Sequence, residues 1–210
     1  MAREIQSNEL PQGETLQLFA DPLYCHHTDH VEELVTLDMI ENTRKHLFKS
    51  QQFSNVGGYQ SSHLVGQDDK HGDWSKLYSH VELHMRKYLE QNGCRYPDVK
   101  MKGSGLWINV NGRGHYNKPH NHVGTSFSGI FYVQVPKHSG GLYFMRGSQQ
   151  NGHIEMMCSQ PEYGPLFEIM PSAGDLFLFP SELVHGVYPN YSKSDRISVS
   201  FNINIVGWAY

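Results

Sequence analysis

Near the end of the chain, Arg196 to Ile205 alternate without a break. Arg196, Ser198, Ser200, Asn202 and Asn204 are polar, and Ile197, Val199, Phe201, Ile203 and Ile205 are apolar. A period of two is the signature of a β-strand, with one set of side chains on each face. Two further stretches carry polar or aromatic residues at alternate positions, Trp107, Asn109 and Asn111 in one and Ser128, Tyr132 and Gln134 in the other. Such faces point either outward, as in a half-exposed sheet, or inward, as the lining of a barrel with a polar cavity. The alternation alone leaves both arrangements open.

The rest of the chain bounds the fold around these strands. Short segments rich in β-branched and aromatic residues, separated by Gly, Pro and Asn, predict strands at Gly105–Val110, Ser126–Val135, Gly141–Met145, Leu166–Met170, Asp175–Phe179 and Arg196–Val206. Before Gly103 the pattern differs. Leu16–Tyr24 suits an edge strand, with Pro22 tolerated there. Apolar spacing predicts a helix over Val31–Phe48, capped by Thr28 or Asp29, and a second over Ser75–Gln91 that stops at Asn92-Gly93. A polar loop, Asn55–Asp73, lies between them. The expected architecture is mainly β with N-terminal helices, in one domain spanning 1–210. Residues 1–102 form a strand and helical layer that packs on an all-β core at 103–210.

Charge and cysteine content narrow the class. Seventeen basic against 21 acidic residues leave a net charge of −4 with no basic run. Nucleic acid and anionic membrane surfaces are therefore not the expected partners. No apolar run approaches the ~18 residues of a spanning helix. The opening MAREIQSNEL lacks the apolar stretch of a signal peptide, so none is expected. Cys25, Cys94 and Cys158 are odd in number and scattered, which predicts free thiols in a reducing, cytoplasmic setting.

The compositional outlier is histidine, with 14 residues. His120 and His122 stand at i and i+2 beside a strand, a spacing that puts two imidazoles on one side within reach of one cation. His185, in a turn before the polar-faced strand, supplies a third ligand from a distant part of the chain. Three facial protein ligands on an octahedral metal leave three positions for substrate, cosubstrate and O2. Eleven residues on, Arg196 with Ser198 offers a guanidinium and a hydroxyl suited to a buried carboxylate. Each part has a plainer reading. A His pair is often a polar surface face, a lone turn His is often simply hydrogen-bonded, and a strand Arg usually makes a surface ion pair. The ordered set lifts the metal reading above its parts: His-x-His, an aromatic strand, Gly-Gly, an apolar strand, His, then Arg-x-Ser.

With WINVNGRGHYNKPHNH, SGIFYVQVPKHSGGLYF, PSAGDLFLFPSELVHGVYPN and DRISVSFNI, the stretch Gly105–Val206 resembles the Fe(II)/2-oxoglutarate-dependent oxygenases. The resemblance is closest to their prolyl-hydroxylase-like branch and to a group of small, mostly uncharacterised 2OG-Fe(II) oxygenases. SNVGGYQSS, in the N-terminal half, resembles the same small group less specifically. The resemblance implies a double-stranded β-helix, the jelly-roll or cupin-like barrel. It implies an iron dioxygenase that couples oxidative decarboxylation of 2-oxoglutarate to hydroxylation of a substrate, with Fe(II), 2-oxoglutarate and O2 as its requirements. His120, His122 and His185 would hold the metal. Arg196 would bind the far carboxylate of 2-oxoglutarate with Tyr132, Ser198 would complete the Arg-x-Ser pattern, and Asn109 would contact the cosubstrate. The sequence departs from the family's usual His-x-Asp, because a neutral imidazole, His122, replaces the carboxylate and leaves the site about one unit more positive.

Two other classes compete. A cupin-type metalloprotein that does not use 2-oxoglutarate shares the spacing from Gly114 to His-x-His. It would want a Glu near positions 125–127, which read Thr, Ser, Phe, and a Gly closer to His185 than Gly174. The other is a metal-free or structurally metallated binding module, with these histidines on a ligand-recognition face. Beyond the main set, Cys25–His30 reads as a polar loop before a helix rather than a second metal site, and His80 and His84 as a solvated helix face. The connection Arg146–Pro165 is expected at the barrel rim, against substrate. Whether the substrate is a protein side chain or a small molecule, and what the oligomeric state is, the sequence leaves open.

Overall fold

The computed structural model describes residues 21–64, 72–94, 99–145 and 166–208. In chain order the elements are β1 (Tyr24–His27), α1 (Val31–Leu34), α2 (Leu37–His46), β2 (Asn55–Val56), β3 (Tyr59–Gln60), α3 (Ser75–Gln91), β4 (Val99–Asn111), β5 (Tyr116–His120), β6 (Phe127–Gln134), β7 (Leu142–Met145), β8 (Leu166–Ile169), β9 (Asp175–Pro180), β10 (Val184–Val187) and β11 (Arg196–Trp208).

They form two antiparallel sheets. One runs β1-β9-β6-β11-β4-β3 and the other β2-β5-β10-β7-β8. Four strands of each, β9-β6-β11-β4 and β5-β10-β7-β8, make the double-stranded β-helix that the sequence resemblance implies. β1 and β3 extend the first sheet, and β2 extends the second. Gly57 and Gly58, both at positive φ, carry the chain from β2 in one sheet to β3 in the other. A Cβ on Gly57 would lie 2.3 Å from the His115 ring, so this crossing needs glycine.

Helix α3 decides which way the alternating strands face. Its stripe of Leu77, Val81, Met85, Tyr88 and Leu89 is buried, and it shares one core with Ile108, Val110, Phe131, Val199, Phe201 and Ile203. The apolar face of β11 therefore meets the helical layer, and its polar face turns into the barrel. A second, smaller core fills the barrel itself, with Ile130, Tyr132, Leu142, Phe144, Phe177, Phe179 and Val187. Successive residues of β6 thus serve different cores, Ile130 and Tyr132 the inner one, Phe131 and Val133 the outer one.

Several expectations need correction. The helix expected over Val31–Phe48 is two helices. Val35 is extended and almost wholly buried, and Thr36 then caps α2 by accepting a hydrogen bond from the Met39 N–H (3.2 Å). Neither Thr28 nor Asp29 caps α1, whose N-cap is His30. Of the edge strand expected over Leu16–Tyr24, residues up to 20 lie outside the described ones; residues 21–23 are not strand, and the described edge strand is Tyr24–His27. The expected loop Asn55–Asp73 contains β2 and β3. Strands β5 and β10 were missed as strands. β5 reads Tyr-Asn-Lys-Pro-His, with few of the β-branched or aromatic residues that mark a strand. The connection Arg146–Pro165 lies outside the described residues.

Candidate active site

Hydrogen-bonded register brings the three expected ligands together. His185 is not in a turn but on β10, where it pairs directly with His120 at the end of β5. His122 lies two residues beyond that strand end, so strand alternation alone does not aim it. A hydroxyl network holds it instead. The His122 N–H donates to the Ser181 carbonyl (2.8 Å), and Thr125 Oγ1 donates to the His122 carbonyl (3.0 Å). Ser181, fully buried, bonds Thr125 (2.7 Å) and Ser128 (2.9 Å), and Ser128 donates to Asn202 Oδ1 (2.8 Å). Sequence reading did not single out Ser181 or Ser128 for this role. Only the polar faces of β6 and β11 hinted at the network.

The three rings offer nitrogens that all lie within 4.8 Å of one another. Ring centroids are 4.4 Å apart for His120–His185, 5.0 Å for His120–His122 and 5.3 Å for His122–His185. Nδ1 of His120 sits 2.7 Å from the Lys118 carbonyl, and Nδ1 of His185 sits 2.9 Å from that of Leu183. A carbonyl can only accept, so each Nδ1 carries the proton and each Nε2 is left as a lone-pair donor. Burial pulls the His185 imidazole down to about 3, assisted by His120 and His122 and opposed by the Leu183 carbonyl. Burial, then His120, brings His122 to about 4, and burial lowers His120 as well. All three rings are therefore neutral at neutral pH, the state in which imidazole binds metal.

The triad opens on a cavity of about 520 Å³. Every residue expected at the cosubstrate also lines it: Asn109, Tyr132, Arg196 and Ser198. The β-ladder places Ser198 opposite Tyr132 on one side and Asn109 on the other. Asn109 donates to Ser200 Oγ (3.0 Å). Arg196 is 2% exposed. Its Nη1 donates to the carbonyls of Ser139, Gly140 and Tyr188, whereas Nη2 is buried without a partner. The Tyr132 hydroxyl is also buried without a partner, and burial pushes its phenol upward, so it stays a neutral donor. Among the described residues no carboxylate pairs with Arg196. A buried guanidinium beside a buried phenol donor, neither neutralised nor accepted among the described residues, suits an anionic acceptor. Toward the mouth, His63 stacks on Trp107 (5.3 Å), and Trp107 lies 5.7 Å from the His122 ring. The sequence reading gave His63 no role.

A neutral imidazole triad and a buried guanidinium thus share one cavity inside a double-stranded β-helix. Residues 105–202 are similar to the family model described as "putative 2OG-Fe(II) oxygenase". Solved structures agree on the fold. A Pseudomonas putida prolyl-4-hydroxylase is 16% identical, covers 88% of this chain and 93% of its own, and has a TM-score of 0.59. A Trichoplax adhaerens prolyl hydroxylase, in complex with a hypoxia inducible factor oxygen degradation domain peptide fragment, is 14% identical with coverages of 87% and 83% and a TM-score of 0.62. The non-heme alpha ketoglutarate-dependent epimerase of nogalamycin biosynthesis is 17% identical with coverages of 90% and 79% and a TM-score of 0.59. No curated protein matches the sequence. The donor set fits the iron and diacid that this similarity implies, since three neutral imidazoles could hold a metal and Arg196 Nη2 and the Tyr132 hydroxyl could meet a carboxylate.

Proposed function

We propose that this protein is a 2-oxoglutarate-dependent hydroxylase. His120, His122 and His185 hold Fe(II). Arg196 and Tyr132 grip the far carboxylate of 2-oxoglutarate, with Ser198 and Asn109 lining its seat. Bound iron, with 2-oxoglutarate and O2, supplies the oxidising power for C–H hydroxylation, and 2-oxoglutarate leaves as succinate and CO2. The chain's own part is to orient the cosubstrate, keep bulk water from the cavity and present the substrate past Trp107 and His63.

One observation carries the reading: Arg196 Nη2 and the Tyr132 hydroxyl are buried, without partners among the described residues, in the same cavity as the triad. A cupin that takes no dicarboxylate would leave both permanently unsatisfied, at about 1–3 kcal/mol each and more for the charged group. Hydroxylation is the outcome we favour because two of the similar folds are prolyl hydroxylases, although another is an epimerase. The acceptor is a peptide side chain or a small molecule. We place the activity in the cytoplasm, in keeping with unpaired Cys25 and Cys94.

The test is anaerobic titration with Fe(II) and then 2-oxoglutarate. A visible charge-transfer band should appear only when both are present, and admitting O2 should yield succinate. Metal binding with neither band nor succinate would overturn the proposal.

A further inference from the structure

A second group of three histidines lies on the opposite face of the six-stranded sheet. Cys25–His27 is not the polar loop expected from sequence but part of edge strand β1, which pairs with β9. On that strand Tyr24 and His26 turn toward α3, and Cys25 and His27 are exposed on the other side. His80 and His84 are not a solvated helix face either. They sit on or beside the apolar stripe of α3, with His84 only 2% exposed. His26 stacks on His84 with centroids 3.7 Å apart, and His80 lies 4.5 Å from His84 and 5.5 Å from His26.

We propose that His26, His80 and His84 form a second metal site for a zinc-class divalent cation, which fastens the edge strand β1 to α3. Four observations support it. One nitrogen from each ring lies within 4.8 Å of the other two, the same convergence as in the barrel triad. Nε2 of His80 is buried and has no hydrogen-bond partner among the described residues, an orphan that a cation would satisfy. Nδ1 of His84 is 2.7 Å from the Tyr24 hydroxyl, an outer partner that fixes the ring and leaves Nε2 for the metal. The i, i+4 spacing of His80 and His84 puts two ligands on one helix face, and the strand brings the third.

The surroundings set the kind of site. Burial, followed by the neighbouring rings and Lys87, lowers His84 to about 4, and His26 and His80 are lowered as well, so all three are neutral donors. Lys87 opposes a dication, but its side chain is exposed and screened by solvent. Phe131 packs on the His80 ring and Tyr24 on the His84 ring, and no acidic side chain is among the groups acting on them. A neutral three-imidazole set suits zinc, and water would complete the tetrahedron.

The experiment uses full-length, chelator-stripped protein titrated with Co(II) as a coloured surrogate for zinc. The parent chain should take up two equivalents and the His120→Ala/His122→Ala variant one. The remaining Co(II) should show the intense visible bands of four-coordination and be displaced by Zn(II). Adding His26→Ala or His80→Ala should abolish that equivalent. In the otherwise unaltered chain, His26→Ala should leave 2-oxoglutarate-dependent succinate formation intact and remove the rise in unfolding temperature on adding Zn(II). His26 is partly exposed at a sheet edge, so it decides the matter even if His80→Ala fails to fold. Uptake of a single equivalent by the parent chain, or a second equivalent that survives both substitutions, would overturn the proposal.

Discussion

The two histidine triads offer a cation the same donors and differ in everything around them. In the barrel, the rings are held through the Lys118 and Leu183 carbonyls and the Ser181 network, and they border a 520 Å³ cavity containing Arg196. On the outer face, the rings stack between β1 and α3 against Phe131 and Tyr24, held by the Tyr24 phenol. Neighbouring residues of β6 serve both sides, since Phe131 borders the outer triad and Tyr132 the cavity. Identical ligands thus border a cavity where strands leave a hollow, and pack against aromatic rings where a helix covers the sheet.

The largest expected effect breaks the comparison outright. His120→Ala/His122→Ala should reduce succinate formation to the uncatalysed background while the outer triad keeps its metal. Metal counting alongside a succinate assay reads both at once. If the outer site also emptied, the two would not be independent. Next is Arg196→Ala, which removes the partner of a buried carboxylate. That class of change costs about 2–5 kcal/mol, or roughly 30- to 5000-fold in kcat/KM for 2-oxoglutarate. Fe(II) affinity without cosubstrate should stay within about twofold. Equal loss of both would mean that Arg196 supports the barrel rather than the diacid.

The inner triad was far more legible in the sequence than the outer one. His120, His122, His185, Arg196 and Ser198 lie in an ordered series whose spacing follows strand logic, and the unbroken alternation of β11 told which residues share a face. What the alternation could not tell was the direction of that face, because this depends on where α3 packs. The outer triad joins residue 26 to residues 80 and 84 across a sheet edge and a helix, a contact no local pattern encodes. Its members also looked wrong in isolation. His26 sat in a run of polar residues, and His80 and His84 were read as hydrophilic although His84 fell beside the apolar stripe. Strands β5 and β10 escaped for a related reason, since their side chains are chosen for the site and not for strand propensity.

Tyr132→Phe sharpens the contrast between function and stability inside the barrel. The phenol has no hydrogen-bond partner among the described residues, so its removal deletes a buried orphan. The free variant should unfold at the same or a higher denaturant concentration than the parent. A hydrogen bond to a charged acceptor is worth about 1.5–3 kcal/mol, so the KM for 2-oxoglutarate should rise roughly 10- to 150-fold. Paired unfolding curves and succinate kinetics read the two effects. A less stable variant with unchanged KM would show that the hydroxyl serves the fold and not the cosubstrate.

Tyr24→Phe is the matching change on the outer face, and its expected effect is the smallest. Tyr24 touches His84 Nδ1 and its ring packs on Tyr88, so phenylalanine keeps the packing and deletes only the outer hydrogen bond. Losing such a partner weakens metal affinity about 10- to 100-fold, and the exposed edge of β1 argues for the lower end. Competition with a coloured zinc chelator would measure it. Succinate formation should not change, because the sheet separates Tyr24 from the cavity. Tyr132→Phe and Tyr24→Phe therefore form a crossed pair, each deleting one hydroxyl beside one triad. If either hydroxyl affected both readouts, the sheet would be transmitting between the triads, and the independence that the fold implies would fail at β6, the strand that borders both.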